Sequence, residues 1–492
     1  VPVSPRRLRI VLVLACLALA AAALLRLGRV PRPVNPPLLH YKASEAQQFE
    51  RLELKRGTHE DLVILAFSGG GTRAAAFAYG ALETLRRIQM VQNGRTTRML
   101  DEIDLITGVS GGSFTALAYG LYGDKLFDDY ERRFLRQDVQ GMLVRRLLNP
   151  RYWPALASPG WGRSEMAADL YDELLFQGKT FADMDALDGP AIAVSATDLS
   201  SGGRIVFIPQ NFDVMCADLG KIRLARAAAA SSAVPVVLSP LTIDNYGGRC
   251  GYEEPSWLEQ FTESHKPPRP AGRLLKRLQE LRELDDAKED RYFHLVDGGV
   301  SDNLGLRGVL DYLETFEALR TSGQPTPLDH VRRIIIFVVN SVSSPSNQWN
   351  ESENPPGALK ILEKTAGVPI DRYANESVEL LKDIDARWTA LREIRSHARP
   401  EGAGRLRYVE NAPDADIFAI EVSFQALQDD TQRRVLNELP TTFHLSDDAI
   451  DRLRAAAATI ILESPDLKEV LKEEAAVVLP ASFSEAERRR SP

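Results

Sequence analysis

The strongest constraint on the fold is a rhythm. Seven short runs, rich in Leu, Ile, Val and Ala and apolar on both faces, alternate with longer stretches of helical spacing. They are Leu62 to Phe67, Ile103 to Ile106, Ala191 to Ala196, Ile205 to Ile208, Val236 to Leu238, Phe293 to Val296 and Ile334 to Val339. A strand apolar on both faces must be covered on both, and strands separated by helices pair mostly in parallel. The pattern therefore predicts an α/β fold with a largely parallel central sheet between two helical layers. With 44% apolar and 26% charged residues the chain can bury such a core. No repeat of fixed period runs through it, which argues against solenoids and propellers.

The beginning of the chain follows a different rule. Ile10 to Leu25 is an apolar run of 16 residues flanked by Arg6, Arg7, Arg9 on one side and Arg26, Arg29, Arg32 on the other. Residues 1–29 are expected to be a signal anchor, one N-terminal transmembrane helix, with a cleavable signal as the alternative. The balanced arginines leave orientation open. Val13-Leu14-Ala15-Cys16 loosely matches a lipoprotein cleavage site, but the apolar run continues nine residues past Cys16, where a mature lipoprotein turns polar. The formal charge of the whole is −8, and residues 1–32 hold six arginines and no acid, so the remainder is more acidic still. Such a body argues against nucleic acid as a partner.

The Pro-rich residues 30–57 (Pro31, Pro33, Pro36, Pro37) read as a linker from membrane to body. The body spans 58–345, with a polar surface insertion at about 253–291. Residues 346–492 read as a mainly helical C-terminal extension, with amphipathic Val378 to Ile394 and Ser446 to Leu462 around a possible strand at Ala415 to Val422, and a loose tail from Ala481. Three cysteines, Cys16, Cys216 and Cys250, are too few for a disulfide framework and are expected as plain buried thiols, although Cys216 and Cys250 could form one bond in an exported body. No two of the seven histidines share a ligand spacing, so no metal site is expected.

Two turns carry chemistry. Ser68-Gly69-Gly70-Gly71-Thr72-Arg73 joins a predicted strand to the helical run Ala74 to Ile88, so its backbone N–H groups point outward at the positive end of a helix, where an oxyanion is stabilised. A phosphate-binding P-loop would need a Lys that is absent. A dinucleotide fingerprint survives only with Ala74 standing for its third glycine. Gly108-Val109-Ser110-Gly111-Gly112 follows a second predicted strand and precedes a second helix, the setting in which G-x-S-x-G lifts a nucleophilic hydroxyl from a sheet edge. Asp297-Gly298-Gly299 ends a third predicted strand and offers a carboxylate as the base. An ordinary Asp is a weak base, so the assignment demands a raised pKa or an orienting hydrogen bond.

In these blocks the chain resembles the patatin-like phospholipases, bacterial members in particular. Gly69 to Arg73 is similar to their oxyanion motif, Gly108 to Gly112 to their nucleophile elbow, and Asp297-Gly298-Gly299 to their aspartate motif. Ala230-Ser231-Ser232-Ala233-Val234-Pro235 is similar to the Ala/Ser/Pro block between them, and Ala196 to Leu199 also matches. The resemblance implies a three-layer α/β sandwich and a Ser110–Asp297 dyad without histidine, acting on lipid acyl esters of phospholipase A or lysophospholipase type at a membrane surface. It implies Gly70 and Gly71 as oxyanion donors, and no cofactor. Arg73 would brace the loop or meet phosphate. Two departures from the pattern are Ala74, where a last glycine is frequent, and Gly305, where many members carry proline. The alternatives are a Ser-His-Asp esterase or thioesterase using His330, His397 or His444, and a non-hydrolytic membrane scaffold. The implied location is the bacterial inner membrane, or the periplasm after cleavage.

Overall fold

The computed structural model describes residues 29–42, 60–92, 95–187, 189–235, 237–254, 272–321, 323–344, 353, 356–397, 407–472 and 476–480. The apolar run Ile10 to Leu25, residues 43–59 and 255–271, and the tail from Ala481 lie outside them. Among the described residues no helix is long and apolar enough to cross a membrane.

Among the described residues eleven strands form: β1 Asp61–Phe67, β2 Ile88–Gln92, β3 Arg95–Arg98, β4 Ile103–Val109, β5 Ala191–Asp198, β6 Arg204–Phe207, β7 Leu241–Asp244, β8 Tyr292–Asp297, β9 Arg333–Asn340, β10 Asp416–Ser423 and β11 Val477–Val478. The main sheet has the order β10-β9-β1-β4-β5-β8-β7, with β6 also on β5. From β10 to β5 every pairing is parallel, whereas β6 and β8 meet β5, and β7 meets β8, antiparallel. β2, β3 and β11 make a small separate sheet.

The helices include α1 Gly71–Arg87, α2 Gly111–Tyr122, α3 Val139–Leu148, α4 Leu224–Ser231, α5 Arg307–Thr321, α6 Ala358–His397 and α7 Asp447–Glu463. Alternate strand residues explain the layers. Val63, Leu65 and Phe67 of β1 face one core with Phe337 of β9 and residues of α1, α2, α4 and α7. Leu62, Ile64 and Ala66 face a second core with Ile334, Ile336 and residues of α5 and α6. A period of two along strands buried on both sides thus yields a three-layer α/β sandwich with a helical C-terminal region.

Several sequence expectations change. Val237 and Leu238 lie in a turn, and the strand begins only after Pro240, because prolines at 235 and 240 break any ladder between them. The C-terminal residues are not confined to the outside: β10 pairs with β9 from Asp416 to Ser423, and α7 joins the core over α1. Residues 29–42 do not span free space as a linker. Arg32 forms a bidentate pair with Asp244 (2.6 and 2.8 Å), Asn35 exchanges hydrogen bonds with the Asp244 backbone, and Leu38 N–H donates to Cys216 O. Cys216 and Cys250 are a disulfide rather than plain thiols, their Cα atoms 5.5 Å apart. Within the polar insertion, residues Gly272–Asp285 form a helix held to the body by Arg277, which donates to Arg204 O and Asn211 Oδ1.

Candidate active site

Three turns meet beside β5: those that end β1 and β4, and the one that ends β8, which enters antiparallel. β4 ends at Val109, and Ser110 follows with φ 48° and ψ −119°, a conformation that L residues rarely hold. Its N–H donates to Ser231 Oγ at 2.8 Å, so the end of α4 holds the bend in place. Gly111 starts α2, and a Cβ there would lie 2.0 Å from Gly71 O, so the serine turn and the glycine loop touch backbone to backbone.

The Ser110 hydroxyl donates to Asp297 Oδ2 at 2.7 Å, and Asp297 Oδ1 accepts Gly299 N–H at 2.8 Å. Both side chains are buried. Burial pushes the Asp297 carboxyl up to about 6, against the lowering effect of its bonds from Ser110 and Gly299. The Ala/Ser/Pro block fixes the aspartate turn too: Asp297 N–H donates to Ala233 O and Gly298 N–H to Ser231 O. Ser231 thus touches both turns, a role that nothing in its local sequence marks beyond its place in a family block.

The glycine loop divides its amides. Gly69 N–H donates to Asn303 O and Thr72 N–H to Thr442 O, leaving Gly70 and Gly71 N–H without an internal acceptor among the described residues. Gly70 is half-buried and Gly71 buried, and both lie at the N-terminus of α1. Arg73 is buried and bonded to protein partners. Its guanidinium donates to Ser341 O (2.7 Å), Leu439 O (2.8 Å) and Thr441 Oγ1 (3.0 Å), clamping the loop to the end of β9 and to the segment before α7. No local pattern marked residues 439–442, because their part is played through backbone carbonyls from far along the chain. Ala74 is buried inside α1. Gly305 has φ +68°, which proline cannot adopt, and a Cβ would lie 2.7 Å from Thr107 Oγ1.

The histidines stand elsewhere. His330 precedes β9, at the end of the parallel strands opposite to Ser110. His397 binds the Glu393 carbonyl, and His444 is exposed with Nδ1 3.9 Å from Asp138.

No curated protein matches the chain. Among solved structures it is similar to "Human GIVD cytosolic phospholipase A2" (12% identity, TM-score 0.40, 90% of this chain and 69% of that one). It is also similar to the same human protein in complex with methyl gamma-linolenyl fluorophosphonate (12%, 0.40, 90% and 66%). A third similar structure is the complex of SpcU with ExoU from the type III secretion system of Pseudomonas aeruginosa (16%, 0.19, 88% and 78%). The chain spans about two thirds of the length of the human structures. The family model of the patatin-like phospholipases matches residues 65–310, half of the 492-residue chain. Since that span holds the glycine loop, the serine turn and the aspartate turn, the chain belongs to the patatin-like phospholipase family.

Proposed function

We propose that this lipid hydrolase cleaves acyl esters with a Ser110–Asp297 dyad, and the observation that carries the reading is the 2.7 Å hydrogen bond from Ser110 Oγ to a buried carboxylate of raised pKa. Asp297 takes the hydroxyl proton as Ser110 Oγ attacks the ester carbonyl. The oxyanion that forms accepts from Gly70 and Gly71 N–H. Collapse expels the alcohol, which receives the proton from Asp297. Water, deprotonated by the same carboxylate, then attacks the acyl-enzyme carbonyl, the bond to Ser110 Oγ breaks, and Oγ takes the proton back from Asp297 as the fatty acid leaves. A carboxyl near 6 is a far better base than one at 3.8 and is still mostly ionised at neutral pH. The bond already made by Ser110 to Asp297 favours this dyad over a triad completed by histidine, and the substrate class is a phospholipid or lysophospholipid. The catalytic body is read as residues 58–345 together with the C-terminal strand and helix that complete its sheet.

We further propose a location at the bacterial inner membrane, with Ile10 to Leu25 as the tether and the body on the exported side. The Cys216–Cys250 pairing supports this side, because structural disulfides persist where the compartment is oxidising. The test is labelling with a serine-directed fluorophosphonate and fatty-acid release from phospholipid vesicles. Wild type is expected to label and hydrolyse, and Ser110→Ala to do neither. Labelling that survives Ser110→Ala would overturn the assignment.

A further inference from the structure

Residues 139–164 contain four arginines and no acid, in a chain of formal charge −8. They hold α3 and, one turn later, the short helix Trp153–Leu156. Along them Val144 (48%), Leu147 (39%), Leu148 (68%) and Trp153 (49%) are exposed, although apolar groups of this size are normally turned inward. Arg145 and Arg151 stand exposed among them. Apolar side chains, an indole and arginines on one short amphipathic stretch are what a helix lying in a membrane interface presents.

The route of the chain gives this face its occupant. Val30 N–H donates to Ser158 Oγ at 2.9 Å, and Ser158 Oγ in turn donates to Pro154 O, next to Trp153. Leu25, the last residue of the apolar run, is five residues before Val30, so the run ends at most roughly 18 Å from this point even if the chain between is fully extended. A run embedded in a bilayer would therefore hold the α3 face at that bilayer's surface.

The same face adjoins the site. Gln140 in α3 donates its N–H to Phe443 O and its Oε1 accepts from Thr442 Oγ1, while Thr442 O takes the Thr72 N–H of the glycine loop. On the other side Val237, 67% exposed, follows the block that holds Asp297 and is joined to the acid-free stretch through Arg163, whose Nε donates to Val237 O.

We propose that α3 and Trp153 form an interfacial docking face, which seats the body on an anionic phospholipid surface with the Ser110 turn beside it. The proposal rests on the lipid-hydrolase reading above. Full-length protein is reconstituted into vesicles of phosphatidylethanolamine and phosphatidylglycerol whose acyl chains are brominated, and tryptophan emission is compared with that in unbrominated vesicles. The expected result is quenching that Trp153→Phe largely abolishes. Equal quenching in Trp153→Phe and wild type overturns the proposal. As a second measurement, Leu147→Gln with Leu148→Gln should slow hydrolysis of vesicle phospholipid by about tenfold while sparing a soluble short-chain ester. Unchanged vesicle hydrolysis, or an equal fall on both substrates, counts against docking. If wild type hydrolyses neither substrate, the dyad reading fails, and the quenching comparison still decides the docking face.

Discussion

Asp297 is asked to be stable and reactive at once, and the two demands oppose each other. A carboxyl whose folded pKa stands near 6, above its ordinary 3.8, binds its proton more tightly in the folded state. Its contribution is therefore most favourable below pH 3.8 and is lost as pH rises through about 6. Asp297→Asn should abolish that decline, so its urea midpoint at pH 8 should lie above that of wild type, while kcat/KM falls by about 10²- to 10⁴-fold. In wild type, kcat/KM should rise with pH through about 6 and then level, since only the ionised carboxylate accepts the proton. A profile flat from pH 5 to 8 would exclude Asp297 as the base. Gly305 gives a second prediction at this scale. Gly305→Pro, though it matches the residue frequent in relatives, should lower the thermal midpoint, because the position has φ +68°.

At the scale of elements, the two helices of the second layer are joined by a buried carboxylate. Glu317 in α5 accepts from Arg387 Nε and Nη2 and from Trp388 Nε1 of α6, at 2.6 to 3.0 Å. Removing it takes the acceptor from the buried Trp388 indole N–H and one ion-pair partner from Arg387, so Glu317→Ala should cost about 2 kcal/mol in urea unfolding, and more than Glu317→Gln. Much of this architecture was legible in the sequence. Runs such as Ile334 to Val339, apolar on both faces, announce interior strands, and Gly108 to Gly112 between strand and helix announces the serine turn. What stayed illegible depends on distant partners. β10 has the mixed burial of an edge strand and no turn motif, so only its pairing with β9 reveals that it belongs to the sheet. The paired cysteines are 34 residues apart, a spacing that carries no pairing information until the chain brings them together.

At the scale of the whole molecule, the disulfide and the N-terminal strap are one assembly. Leu38 and Tyr41 donate their N–H groups to the carbonyls of Cys216 and Cys250. Closing a loop of this length stabilises the fold by about 3 to 4 kcal/mol in the chain-entropy account. Reduction should therefore lower the unfolding midpoint and speed amide exchange at residues 35–41, while leaving Ser110 labelling intact. Equal exchange before and after reduction would separate the strap from the disulfide. The clamp on Arg73 has a consequence in time. Ser110 and Asp297 are both synthesised well before Leu439 and Thr441, which hold the Arg73 guanidinium. A nascent chain can thus bring nucleophile and base together while its glycine loop still lacks its brace, so the loop that would hold the oxyanion is fixed only once residues 439–441 have been made and folded back onto Arg73.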